Sequence, residues 1–180
     1  MTHLRVAEAP PSFHHQDIER AMPIAIADFT PTDEAATMAF CRQIFVDEGW
    51  PLEFMEPTVT GGFDRPRDVF LLVKQDQDGV IIGCGALKEL SEDEALLTRF
   101  FVAASLRGSG LAVTLFAELF ERARELGYAT IVLDVNRESA RAIRFYEKQG
   151  MERFIPTPHP RWLESAPEER QYAEYFRKRV

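Results

Sequence analysis

Hydrophobic and polar positions alternate with period two in PIAIADFT, residues 23–30, which predicts a first strand. The period then lengthens. Ala36, Ala39, Phe40, Ile44 and Phe45 fall on one face of a helix that Thr32 would cap and Gly49 would stop. Asp33 and Glu34 suit its electropositive first turn. Pro51, Pro57, Gly61, Gly62 and Pro66 then predict a loop with at most one short helical piece. Two apolar runs, VFLLV and VIIGCGALKEL, flank Asp78-Gly79 and predict a hairpin. ALLTRFFV predicts a long strand ending near Val102.

The strongest helical signal is GLAVTLFAELFERARELG. Leu111, Leu115, Leu119 and Ala123 form one row, Phe116, Phe120 and Leu126 widen it, and Gly127 supplies the stop. YATIVLDV is nearly continuous in apolar residues, as in a strand covered on both faces. SARAIRFYEKQG predicts another helix, with Ser139 at its N-cap and Gly150 after its end. MERFI and QYAEYFRKRV predict two closing strands around a Pro-rich loop. Residues 1–22 have no clear period and are expected to form an extension ahead of one domain, 23–180.

This alternation places the chain in the α/β (α+β) class. A net charge of -8 argues against nucleic acid as the main partner, because phosphate binding needs a basic surface. No apolar stretch is long enough to span a bilayer, and the N-terminus lacks an apolar signal core, so a cytoplasmic location is expected. Cys41 and Cys84 fit neither a disulfide framework nor a zinc site and are expected to be core thiols. No metal is expected.

The candidate chemistry begins at Arg107-Gly108-Ser109-Gly110, between a strand and a helix. Amides in the first turn of a helix have no internal partner, and the dipole adds about half a positive charge there. Glycine lets an anion approach the main chain closely. Two common phosphate loops do not fit. Gly110 is followed by Leu111-Ala112, not Lys-Ser/Thr, and Val113 holds the place of the third glycine in a dinucleotide fingerprint. A tight turn on a packed surface would have the same sequence.

Read as Arg/Gln-x-x-Gly-x-Gly/Ala, the segment from Arg107 to Ala112 resembles the acetyl-CoA pyrophosphate loop of the GNAT superfamily of N-acetyltransferases. LTRFFVAASLRGSG is similar to that family's fourth strand and the turn after it, and ARAIRFYEKQGM to its Ala-x-x-x-Tyr-Glu-Lys-x-Gly-Phe signature, with Met151 in place of Phe. The close match covers about residues 97–154. The resemblance implies a mixed, mostly antiparallel sheet of six to seven strands, helices on both faces, and a splayed strand pair.

By position, the resemblance implies a pantetheine arm pairing with the main chain of Phe101, Val102 and Ala103, and a pyrophosphate on the amides of Arg107, Gly108, Ser109, Gly110, Leu111 and Ala112. The Val102 N–H would stabilise the oxyanion. Tyr146 would assist departure of the thiolate. Ser139 stands where many members have a pantetheine-binding Asn; Asn136 is the alternative, and Ser139 also suits a capping role. Leu96 stands where many members carry a basic glutamate, so the base stays open among Glu89, Asp134, Glu48 and His159.

The implied reaction is direct attack of a primary amine of a small molecule on acetyl-CoA. A non-catalytic CoA-ligand sensor and a protein N-terminal or lysine acetyltransferase remain as alternatives. Trp50, Phe54, Phe63, His159, Arg161 and Trp162 would either recognise the acceptor or pin their loops to the core. No nucleic-acid or membrane partner is expected, and a homodimer stays open.

Overall fold

A computed structural model describes residues 24–55, 58, 61–75, 79–162 and 171–180. The expected N-terminal extension, the Asp78 turn position and most of the second Pro-rich loop lie outside the described residues, as does the Phe54 side chain. The strands are β1 (Ile24–Asp28), β2 (Val69–Gln75), β3 (Ile81–Glu89), β4 (Glu94–Val102), β5 (Thr130–Asn136), β6 (Glu152–Arg153) and β7 (Ala173–Arg179). The helices are α1 (Glu34–Glu48), α2 (Leu111–Glu125) and α3 (Ala140–Lys148). The strands form one seven-stranded sheet in the order β1-β2-β3-β4-β5-β7-β6, antiparallel except between β4 and β5.

Both faces are covered. The predicted row Leu111, Leu115, Leu119 and Ala123 is buried against Leu71, Leu87, Leu97, Ile131 and Leu133, and Tyr146 of α3 joins this cluster. On the other face, Cys41 of α1 packs on Phe70, Leu72, Cys84 and Ala86. Farther along that face, Leu96 and Val132 lie under Trp162. The alternation along β5 explains the division: Ile131 and Leu133 face α2, while Val132 faces Trp162.

Two details of α1 differ from the sequence reading. Its buried residues are Thr37, Cys41 and Ile44, whereas Ala36 and Ala39 are exposed. Thr37 is tolerated inside because its hydroxyl donates to the Asp33 carbonyl at 2.8 Å. The chain enters through a 3-10 turn over Pro31–Asp33, and the Thr30 N–H donates to Asp33 Oδ2 at 3.0 Å, so Thr30 rather than Thr32 begins the helical segment. The first closing strand is also shorter than MERFI, reduced to Glu152–Arg153.

Two irregularities in β4 shape the site. Pairing with β5 covers only Glu94–Thr130, Ala95–Ile131 and Leu96–Val132, after which the two strands part. Pairing with β3 shifts register between Cys84 and Ala86, and opposite that shift Arg99 has φ 50, a left-handed conformation that is uncommon for a side-chain-bearing residue.

Candidate active site

The cleft between the parted strands has Val102 on one wall and Asp134 and Asn136 on the other. In an antiparallel ladder, main-chain groups alternate between facing the partner and facing away. Ala103 N–H donates to the Ile82 carbonyl at 2.9 Å, so the neighbouring Val102, paired with Gly83, turns its own N–H and C=O toward the cleft. Of the three residues expected to accept an added strand, Val102 therefore has the suitable orientation, whereas the Ala103 N–H is engaged with β3. Phe101, opposite Cys84, directs its main chain toward β3 as well.

At the mouth of the cleft, the turn before α2 is built on two left-handed glycines, Gly108 at φ 79 and Gly110 at φ 94. Some of its amides close the turn itself: Arg107 N–H donates to Ala104 and Ser109 N–H to Leu106, both at 3.3 Å. Leu111 N–H reaches the Ser109 hydroxyl at 3.3 Å. Among the described residues, the N–H groups of Gly108, Gly110 and Ala112 have no protein acceptor. Gly108 and Gly110 border a groove of about 520 Å³ that runs along α2 past Thr114 and Ala117. Three main-chain donors at a helix N-terminus beside an open groove fit a diphosphate. Of the six amides expected to meet a pyrophosphate, these three are the ones without a protein acceptor among the described residues.

The Arg107 side chain is engaged within the protein. Its guanidinium is paired with Glu48 at the end of α1, and Arg141 of α3 meets the same Glu48 oxygen at 2.7 Å. Glu48 thus ties α1, the glycine turn and α3 together across the cleft mouth. Ser139 occupies the N-cap of α3 without a side-chain capping bond. The Asn136 side chain accepts from Glu138 N–H at 2.9 Å, which shapes the approach to the helix.

Tyr146 is buried among Phe100, Phe116, Phe145 and Phe176, with ring centroids 5.4–6.4 Å away. Its hydroxyl has no hydrogen-bond partner among the described residues, yet no fully enclosed polar side-chain atom there is left unsatisfied, so the hydroxyl meets open space. Burial, and then the charge of Asp134, push its phenol well above the ordinary range. It therefore stays protonated at neutral pH.

Of the four candidate bases, only Asp134 stands on a wall of the cleft. One side of it is open to solvent, but the surrounding protein desolvates it enough to raise its carboxyl above the ordinary value. The Trp162 indole, donating at 2.7 Å, opposes that rise without cancelling it. Glu89 lies at the end where β4 and β5 remain joined, paired with Arg65 and Arg67. His159 is held in a main-chain bridge with Trp162, and Glu48 is the arginine bridge already described.

A second cavity, of about 260 Å³, opens on the α1 side of β4. Its walls include Met38, Phe45, Met55 and Phe101, and it is also lined by Lys88, Thr98 and Arg99. Leu96, at the position where the resemblance anticipates a glutamate, is part of an apolar wall. The sequence reading missed Lys88 and Arg99; regular alternation would set Arg99 on the α2 face with Leu97, and the bulge turns it instead into this cavity.

The expected acceptor residues divide between roles. Trp50 packs edge-on against Phe45 at 5.3 Å and approaches Phe101 at 6.1 Å. Arg161 is a structural pin: it meets Asp68 at 2.7 Å and Asp64 at 2.9 Å, and donates to the Gly62 carbonyl at 2.8 Å. Cys84 is a fully buried free thiol that donates to the Arg99 carbonyl at 3.2 Å, and burial pushes its pKa up. Among the described residues, no cluster of His, Cys, Asp or Glu could hold a metal, and no helix is long and apolar enough to cross a membrane.

The acetyltransferase (GNAT) family model matches residues 36–151, a span that includes most of α1, the glycine turn and Tyr146. An uncharacterized N-acetyltransferase of Schizosaccharomyces pombe is 30% identical over 95 residues, covering 52% of this chain and 58% of that protein, so the match spans little more than half of its relative. A putative acyl-CoA N-acyltransferase from Klebsiella pneumoniae has a similar structure, with TM-score 0.65 and 22% identity over 88% of this chain and 98% of its own. N-acetylglutamate synthase from Neisseria gonorrhoeae, solved with coenzyme A and N-acetyl-glutamate, gives TM-score 0.69 at 14% identity over 87% of this chain and 35% of its own. The parted strands, the glycine turn and the matched span agree, and the chain belongs to the GNAT acetyltransferase family.

Proposed function

We propose that this protein transfers an acetyl group from acetyl-CoA to a primary amine of a small molecule. The observation that carries this reading is the end of β4–β5 pairing at Leu96–Val132, with the amides of Gly108, Gly110 and Ala112 at the mouth of the resulting cleft. Acetyl-CoA supplies the reactive thioester. The three amides hold its diphosphate, and Val102 offers main-chain groups to the pantetheine arm in the manner of an added strand.

The residues on the cleft walls divide the proton work. An ammonium has no lone pair, so the acceptor must lose a proton before or during attack on the acyl carbon. Asp134, with its raised carboxyl, is the base, directly or through one water. As the new C–N bond forms and the C–S bond breaks, charge on the acyl oxygen is met by the Val102 N–H. The thiolate leaves toward the Tyr146 hydroxyl. Transfer from a phenol of ordinary pKa about 10 to a thiolate near 8.5 is already uphill by about 2 kcal/mol, and the upward shift of Tyr146 makes it more so, so Tyr146 acts chiefly as a hydrogen-bond donor. The cavity of about 260 Å³ beside β4 favours a compact acceptor over a folded protein.

The experiment is thiol release from acetyl-CoA against amino acids, polyamines, aminoglycosides and peptides. Turnover with at least one small amine supports the reading. Turnover with peptides alone, or coenzyme A binding with no turnover of any amine, counts against it.

A further inference from the structure

The lining of the cavity on the α1 side of β4 bears on what the acceptor is. Its walls are apolar at Met38, Phe45, Met55 and Phe101, yet two cationic residues, Lys88 and Arg99, reach it. They come from paired strands and share a platform. The Arg99 guanidinium lies 4.9 Å from the centre of the Phe63 ring, and the Lys88 ammonium lies 5.5 Å from it. Arg99 also donates to the Gly61 carbonyl at 3.5 Å, which ties its head to the turn at Gly61.

The main chain is distorted at this residue. Arg99 takes φ 50 within a strand, where the β3–β4 register slips. A bulge of this kind re-aims a side chain, and unfavourable backbone conformations in folded proteins cluster at functional sites. The Cys84 thiol holds the Arg99 carbonyl from the partner strand, so the distortion is built in from both sides.

We infer that the acceptor is a compact amine that also bears a carboxylate and an apolar side chain, and that Arg99 and Lys88 bind its carboxylate. This rests on the acetyl transfer proposed above and names its substrate class. A planar guanidinium fork matches a carboxylate, and a second cation beside it favours an anionic group over a cationic one. The volume, about 260 Å³, lies below the ~300–1,000 Å³ of drug-sized cavities, which suits an amino acid or a molecule of similar size. Arg99 lies three residues before Val102 on the same strand. In an α-amino acid the amine and the carboxylate share one carbon, so a carboxylate held by the Arg99 and Lys88 heads sets the amine beside it on the cleft side and leaves the apolar side chain to Phe101 and the other apolar walls.

The test uses matched amine pairs that differ only in the carboxylate: phenylalanine with phenethylamine, and methionine with 3-(methylthio)propylamine. Acetylation of each is followed by thiol release, and coenzyme A binding is measured by calorimetry on the same samples. The carboxylate-bearing member of at least one pair is expected to have a kcat/KM at least tenfold above its partner. In R99M and in K88M, that ratio is expected to fall below threefold, with the change in KM. Coenzyme A affinity of each variant reports that the fold is intact. Equal or reversed preference in the parent, or a ratio unchanged in both variants, overturns the inference. So does coenzyme A binding without acetylation of any pair. A parent protein that binds no coenzyme A instead overturns the acetyl transfer beneath it.

Discussion

The Trp162 indole donates to the Asp134 carboxylate at 2.7 Å, two residues beyond the last β4–β5 pair. This bond lowers a carboxyl pKa that desolvation raises. Activity that depends on ionised Asp134 should disappear as pH falls through that raised value, so the acid limb of kcat/KM should lie above the ordinary carboxylate range. Trp162→Phe removes the opposing bond and should move the limb to still higher pH. A pH–rate profile of parent and variant checks both statements.

Asp134→Asn should lower kcat by roughly 10²–10⁴-fold, the usual range for a positioned general base. Stability should move differently. A carboxyl whose folded pKa is raised favours the folded state below its unfolded pKa and loses that contribution as pH rises through the folded value. At neutral pH the aspartate is therefore unfavourable for folding, and the asparagine variant should melt no lower than the parent. A large fall in Tm together with activity would point to a structural role.

Tyr146→Phe removes a hydroxyl that has no described protein partner to lose. Melting temperature and coenzyme A affinity should barely change, whereas kcat should fall roughly 10²-fold if the hydroxyl assists thiolate departure. Steady-state kinetics alongside calorimetry separates the effects.

Glu48 joins Arg107 and Arg141 over the cleft mouth and sets a negative charge near the glycine turn. Glu48→Gln should release Arg107 toward an incoming diphosphate and tighten coenzyme A binding by three- to tenfold, about 0.7–1.4 kcal/mol. Arg107→Gln should weaken binding by a similar factor. Opposite signs in calorimetry distinguish a shared electrostatic device from two unrelated surface effects.

The Arg161–Asp68 pair, with side chains 13% and 4% exposed, joins the 156–162 segment to the loop before β2. Removing one partner strands the other, so Arg161→Met should cost about 3 kcal/mol. Burial opposes ionisation of Asp68. The Arg161 bonds and the N–H groups of Glu89 and Arg65 outweigh it and hold the carboxyl below its ordinary value. The stabilisation is present above the unfolded carboxylate pKa of about 4 and fades as pH falls through the lower folded value. The gap between parent and variant in urea melts should be full at pH 6 and shrink below pH 4.

The elements legible in the chain were those with strong local periodicity. The row from Leu111 to Ala123 is buried as its spacing implies, and the two runs around Gly79 pair as β2 and β3. The α1 face was read correctly at Phe40 and Ile44 but not at Ala36 and Ala39, because Thr37 counts as polar until its hydroxyl finds the Asp33 carbonyl. The glycine turn was legible from its composition, but which amides it leaves without acceptors depends on how the turn closes. Neither the Arg99 bulge nor the capture of Arg107 by Glu48, 59 residues away, has a local signal. Both arise from contacts between distant segments, and both shape the site.

The most direct measurement is a titration of the ¹⁵N-labelled protein with coenzyme A, following backbone amides by NMR. The account expects saturable binding, with the largest shifts and slowed solvent exchange at Gly108, Gly110 and Ala112 and a clear shift at Val102. Saturation that leaves those four amides unperturbed, or no binding at millimolar coenzyme A, would contradict it.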